Sequence, residues 1–130
     1  MLFEALDFLY VPSADVAAEV AYFTDVLGAE LVFAIDSGGT RVAMLRLGGE
    51  STPVLVTDHL PDDRPVFLFR VASLDDASIR LRDRGWTPDR TIELPMGPAT
   101  TFTSPGGVRL AIYEASRPFV VDSFVGQRDF

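Results

Sequence analysis

Residues able to do chemistry are few in this chain, and most stand on strands with one polar face. In the stretch Ser104 to Glu114, S-P-G-G-V-R-L-A-I-Y-E, a run of turn residues leads into alternation. Val108, Leu110 and Ile112 fall on one side of a strand, and Arg109, Ala111 and Tyr113 on the other. A cation, a gap the size of alanine and a phenol on one face suit a wall that touches a ligand. An ordinary strand with one wet side is the alternative. Val66, Leu68 and Arg70 share a face in the run Pro65 to Val71, and Leu6, Phe8 and Tyr10 share one in Leu6 to Val11. Phe33, Trp86 and Phe102 stand on neighbouring strands. The candidate ligand-binding set is therefore Phe8, Tyr10, Leu68, Arg70, Trp86, Phe102, Arg109, Ala111 and Tyr113. Apolar residues with two arginines and two tyrosines fit a small-molecule site, or side chains that fill the interior completely.

No catalytic set can be assembled. His59, the only histidine, lies in D-H-L-P-D-D-R beside Asp58 and reads as a solvated loop residue. Asp62 and Asp63 read as a turn with its charges in water, and Glu93 and Glu114 as rim or surface charges on strands. The pairs Gly38-Gly39, Gly48-Gly49 and Gly106-Gly107 are turns, since none opens a helix with a lysine as a phosphate loop does. The absence of cysteine excludes disulfides, thiolate catalysis and thiolate-bound metals.

The elements that must position these residues fit one domain of 130 residues. A net charge of −8 argues against nucleic acid and anionic membrane as partners and favours neutral or cationic ones. No apolar run is long enough to span a membrane, and M-L-F-E-A-L-D lacks the features of a signal peptide. The expectation is a soluble, cytoplasmic protein.

The first module, about 1–57, reads strand, helix and three strands. Leu6 to Val11 is the first strand, and Ser13 or Asp15 caps a helix carrying Val16, Val20, Phe23 and Leu27 up to Gly28. Leu31 to Ile35, Thr40 to Leu47 and Pro53 to Thr57 follow as strands. A linker at 58–64 leads to the second module, about 65–114. There Pro65 to Val71 is a strand, and Ser73 caps a helix carrying Leu74, Ala77 and Leu81 up to Gly85. Trp86 to Leu94, Ala99 to Thr103 and Val108 to Glu114 are three more strands. Leu6 to Asp15 aligns with Val66 to Asp75 without a gap, sharing V-x-S-x-D. A repeat of about 60 residues exceeds a solenoid unit and points to a duplicated βαβββ module. The segment 115–130 is too apolar for a disordered tail and is expected to dock as a C-terminal arm or to cover a partner subunit.

Three stretches carry a resemblance: Ala21 to Gly28 (A-Y-F-T-D-V-L-G), Phe69-x-Val71 followed by Leu74-Asp75-Asp76-Ala77, and Ser104-Pro105-Gly106-Gly107. With them the chain resembles the vicinal oxygen chelate superfamily of glyoxalase I, extradiol dioxygenases, and bleomycin- and fosfomycin-resistance proteins. The resemblance implies an α+β fold in which two tandem βαβββ modules curl mixed sheets into a cup, and a homodimer. Metal enzymes of the family bind their ion at positions that correspond here to Leu6, Val66 and Ala111, none of which carries a donor. The expectation is a protein with no metal or other cofactor, leaning away from catalysis, whose partner is a small drug-like or aromatic molecule. Two alternatives stay open: a lyase, isomerase or dioxygenase with relocated metal ligands, and a structural or regulatory dimer with a filled cup.

Overall fold

The computed structural model describes residues 1–60 and 63–130. Pro61 and Asp62, part of the segment read as a linker, lie outside the described residues. The fold is α+β: strand, helix and three strands, twice over, followed by a short helix. The chain forms two compact units. One comprises Met1–Asp7 and Val66–Ser123, the other Phe8–Pro65 and Phe124–Phe130.

In the unit built on Phe8–Pro65, β1 (Ala5–Pro12) lies parallel to β4 (Val54–Thr57). The strands β2 (Glu30–Ser37) and β3 (Thr40–Arg46) complete an antiparallel run with it. Gly38 and Gly39 both take positive φ, the conformation a tight β2–β3 hairpin needs. Helix α1 (Val16–Ala21) is capped by Asp15, whose Oδ1 accepts from the Ala18 amide at 3.0 Å. Its Val16 and Val20 pack on Ala34, Ala43, Leu45, Val54 and Val56. A bulge between Leu31 and Phe33 shifts the β2 register, so Leu31 and Ala34 both reach this core.

The helical reading up to Leu27 is corrected in one respect. From Tyr22 to Val26 the turn widens, with the Leu27 amide bonding the Tyr22 carbonyl at 3.2 Å. The Thr24 hydroxyl donates to the Val20 carbonyl at 2.8 Å, competing for an acceptor the regular helix would use. Leu27 is left exposed.

In the other unit, β5 (Val66–Val71) lies parallel to β8 (Arg109–Glu114), which pairs antiparallel with β7 (Gly97–Thr103) and that with β6 (Arg90–Leu94). Helix α2 (Leu74–Arg82) starts at Ser73, whose hydroxyl accepts from the Asp76 amide at 3.2 Å. Its Leu74 and Ala77 pack on Val71 and Ile112, with Phe3, Phe69, Leu81, Trp86 and Phe102 around them. The strand expected from Trp86 begins only at Arg90. The Trp86 amide bonds back to Leu81 at 3.0 Å to close the helix end, and Pro88 has no amide to give a ladder. Helix α3 (Val120–Phe124) belongs to the C-terminal segment.

Candidate functional site

Strand alternation decides which candidate residues can act together. Ile112 and Val71 face α2, so their neighbours Ala111, Tyr113, Leu68 and Arg70 face the other way. The parallel register sets Leu68 beside Ala111 and Arg70 beside Tyr113. Across β7, Ala99 lies opposite Tyr113, Thr101 opposite Ala111 and Thr103 opposite Arg109. The face thus has a centre of small or apolar residues and polar groups toward its ends.

At one end, the Tyr113 phenol donates to Asp7 Oδ2 at 2.5 Å, and one guanidinium nitrogen of Arg70 lies 3.4 Å from the same oxygen. Arg70 Nε also donates to Glu4 Oε1 at 3.3 Å. Burial, reinforced by the bond to Asp7, pushes the Tyr113 phenol far above its ordinary value. It is a neutral donor throughout the physiological range. At the other end, Arg109, whose side chain is 11% exposed, donates to Asp89 Oδ2 at 2.5 Å and also to Thr103. This bond holds the Asp89 carboxyl below its ordinary value. Both candidate arginines are therefore tied to carboxylates.

Two candidates part from this face. Trp86 and Phe102 lie in the core under α2, with ring centroids 5.5 Å apart in an edge-on arrangement. As aromatic residues on neighbouring strands they look like wall residues in the sequence; packing against Leu81 claims them instead. The Trp86 indole N–H is buried with no partner among the described residues.

In the other unit, Tyr10 lies beside Leu55 across β1 and β4, on the face turned from α1. Phe8 and Tyr10 are both buried. His59 is exposed at one edge yet is not the free loop residue the sequence suggested. Its Nδ1 pairs with the buried Thr57 hydroxyl at 2.5 Å and its Nε2 lies 3.5 Å from the Tyr10 phenol, with the rings edge-on. Only the spacing Thr57-x-His59 after an apolar strand hinted at this grouping. Burial drives the Tyr10 phenol far upward, with Thr57 opposing, and lowers His59 against the pull of Asp58. A base depressed in the folded state binds fewer protons there than when unfolded. The stability it contributes is complete above its unfolded value of 6.5 and is lost as pH falls through the folded value. The stability difference between the parent and His59→Asn should therefore narrow from pH 8 to pH 5, which paired urea titrations would read; a difference constant with pH would show the ring to be unstrained by burial.

Among the described residues no three His, Asp or Glu side chains converge on a site that could hold a metal ion. At the positions that resemblance assigns to metal ligands stand Leu6, Val66 and Ala111, the last two only 2% and 1% exposed. Aliphatic groups at those positions do not fit a divalent cation.

The chain belongs to the glyoxalase/bleomycin resistance protein/dioxygenase superfamily, whose family model matches residues 5–112. Among solved structures it is similar to methylmalonyl-CoA epimerase from Mycobacterium tuberculosis, with 22% identity, 91% of this chain and 92% of that chain covered, and a TM-score of 0.69. It is also similar to a variant of the Streptomyces coelicolor methylmalonyl-CoA epimerase in complex with 2-nitronate-propionyl-CoA (18% identity, 88% and 96% covered, TM-score 0.66). A hypothetical protein from Bacillus halodurans gives 13% identity, 85% and 93% covered, and a TM-score of 0.67. At these identities the likeness is one of fold. No curated protein matches the sequence.

Proposed function

We propose that this chain is a metal-free small-molecule-binding member of the superfamily, acting as a cytoplasmic homodimer that sequesters its ligand and does not transform it. The observation that carries this reading is the donor set: Leu6, Val66 and Ala111 stand where metal chemistry would need His or Glu. What remains on the β5–β8 face is a small apolar floor (Leu68 and Ala111) with a phenol and a guanidinium at its end. Such a surface orients an aromatic or aliphatic molecule without activating it. Phe8 and Tyr10 supply a comparable apolar face in the other module.

A second reading is favoured by burial. Phe8, Tyr10, Leu68, Ala111 and Tyr113 are all nearly inaccessible, as they would be if their side chains simply filled the interior of a structural or regulatory protein. Ala111→Trp separates the two. On a ligand-accepting face the indole takes up ligand space, so the unfolding midpoint holds while thermal shifts by bleomycin and by ethidium disappear. In a filled interior the same change is overpacking that costs about 1–3 kcal/mol, and neither compound shifts the parent. Elemental analysis of the purified protein is the companion measurement: one tightly held Zn, Fe, Mn or Ni per chain would overturn the metal-free reading.

A further inference from the structure

We propose that the cleft beside α2 is a second binding site, one that takes a neutral polyhydroxylated ring, a sugar or a cyclitol. It lies on the opposite face of β7 and β8 from Ala111 and so stands apart from the site proposed above. Helix α2 rests on Ile112, and from there the same sheet face continues through Thr100 on β7 to Thr91 on β6. Between this floor and the helix flank that carries Asp75, Ser78, Ile79 and Arg82 opens a cleft of about 780 Å³, within the range of small-molecule sites.

Thr100 is the residue that points to a ligand. It is only 6% exposed, and the little surface it keeps opens into the cleft. Among the described residues its hydroxyl has no hydrogen-bond partner, nor have the hydroxyls of Thr91 beside it and Ser78 on the helix. A hydroxyl both donates and accepts, so three of them around one cleft match ligand hydroxyls, which do the same. The charges favour a neutral ligand. Asp89 is paired with Arg109, and the two other carboxylates of the cleft, Asp75 and Glu114, are matched by two guanidiniums, Arg82 and Arg90. A charged ligand would upset that balance, whereas a ligand hydroxyl can accept from a guanidinium and donate to a carboxylate. Glu114 is fixed for this by the Leu74 amide, which donates to its Oε1 at 2.9 Å. Ile79, 60% exposed, adds an apolar surface for the C–H face of a ring.

Titration at millimolar concentration, followed by amide chemical shifts, tests the proposal with glucose, ribose and myo-inositol as neutral probes, glucosamine as a cation and glucuronate as an anion. At least one neutral probe should give saturable shifts centred on Ser78, Thr91 and Thr100, and both charged sugars should bind at least about 5-fold more weakly than it does. Thr100→Val should weaken that probe about 5-fold, the loss of one hydrogen bond, and Ser78→Ala comparably. Thr100→Val should also leave the thermal midpoint unchanged, because the hydroxyl holds nothing within the protein. A lowered midpoint, or a variant that fails to fold, would show the hydroxyl to be engaged in the fold and overturns the inference. No saturable shift with any neutral probe, binding that ignores either substitution, or a charged sugar bound as tightly as the neutral ones overturns it too. None of these outcomes bears on the face around Leu68 and Ala111, which Ala111→Trp tests separately.

Discussion

Gly97→Ala should be among the most damaging single substitutions in this chain, costing about 3–5 kcal/mol, the upper end of what one substitution does. Gly97 opens β7 at a φ of +154°, and a Cβ there would lie 1.9 Å from the backbone carbonyl oxygen of Glu114. That oxygen belongs to β8 and cannot swing aside like the end of a side chain. It also accepts from the Ser116 amide at 2.9 Å, and the Glu114 carboxylate accepts from the Leu74 amide at 2.9 Å. Moving the Glu114 backbone would thus loosen the start of α2 as well as the end of the sheet. Gly85→Ala is the control, since Gly85 also has a positive φ, +89°, but open space around it. It should cost only about 1 kcal/mol, the conformational part alone. Chemical denaturation of both variants checks the difference, and hydrogen exchange at Leu74 checks the coupling to α2. Equal losses in the two would mean that strand β7 relaxes freely at its first residue.

Much of this architecture was legible in the sequence because it is written in local signals. The V-x-S-x-D repeat marks a strand end and a helix cap, and in the second module both Ser73 and Leu74 sit where that reading places them. Period-two alternation gave the faces of β5 and β8, Arg70 with Leu68 on one and Tyr113 with Ala111 on the other, while the register that sets Arg70 beside Tyr113 is seen only in the structure. The glycine pairs fixed turns. What the sequence could not show was contact between residues far apart in it. Asp7 and Tyr113 are separated by 106 positions, and nothing in the sequence near Asp7 points to a phenol on the last strand. Glu114 reads as a rim charge but caps α2 from the neighbouring strand. Trp86 and Phe102 look like binding residues by type, yet type does not reveal that Leu81 and Phe69 crowd the same space. His59 joins Thr57 and Tyr10 only because β4 runs beside β1. The widened turn at Tyr22 depends on one hydroxyl finding a carbonyl, which periodicity does not encode.

Removing Phe124 to Phe130 should destabilise the protein by about 3–5 kcal/mol and leave it prone to associate. The segment runs along β2, the strand at the outer edge of its unit's run. The Gly126 amide bonds Val32, the Ala34 amide bonds Gln127 and the Asp129 amide bonds Ala34, at 2.9, 2.9 and 2.7 Å. Arg128 thereby forms a parallel bridge with Ala34. Side chains fasten the same stretch. The Phe124 ring lies tilted against the buried Phe33, with centroids 5.6 Å apart, and Phe130 packs on the core beneath α1 with the Arg41 guanidinium 4.6 Å from its ring centre. Asp129 Oδ2 accepts from the Asp36 amide at 2.8 Å. Without the segment, β2 keeps its unpaired backbone groups and Phe33 loses its cover, and an open apolar edge recruits other chains. A truncation after Ser123 should therefore lower the thermal midpoint on the order of 10 °C and elute as larger species with increasing concentration. Phe130→Ala should reproduce part of the stability loss, about 1–2 kcal/mol, without the association, because the edge stays paired. A truncated protein with the parent's midpoint and elution volume would show that the pairing along β2 contributes nothing in solution.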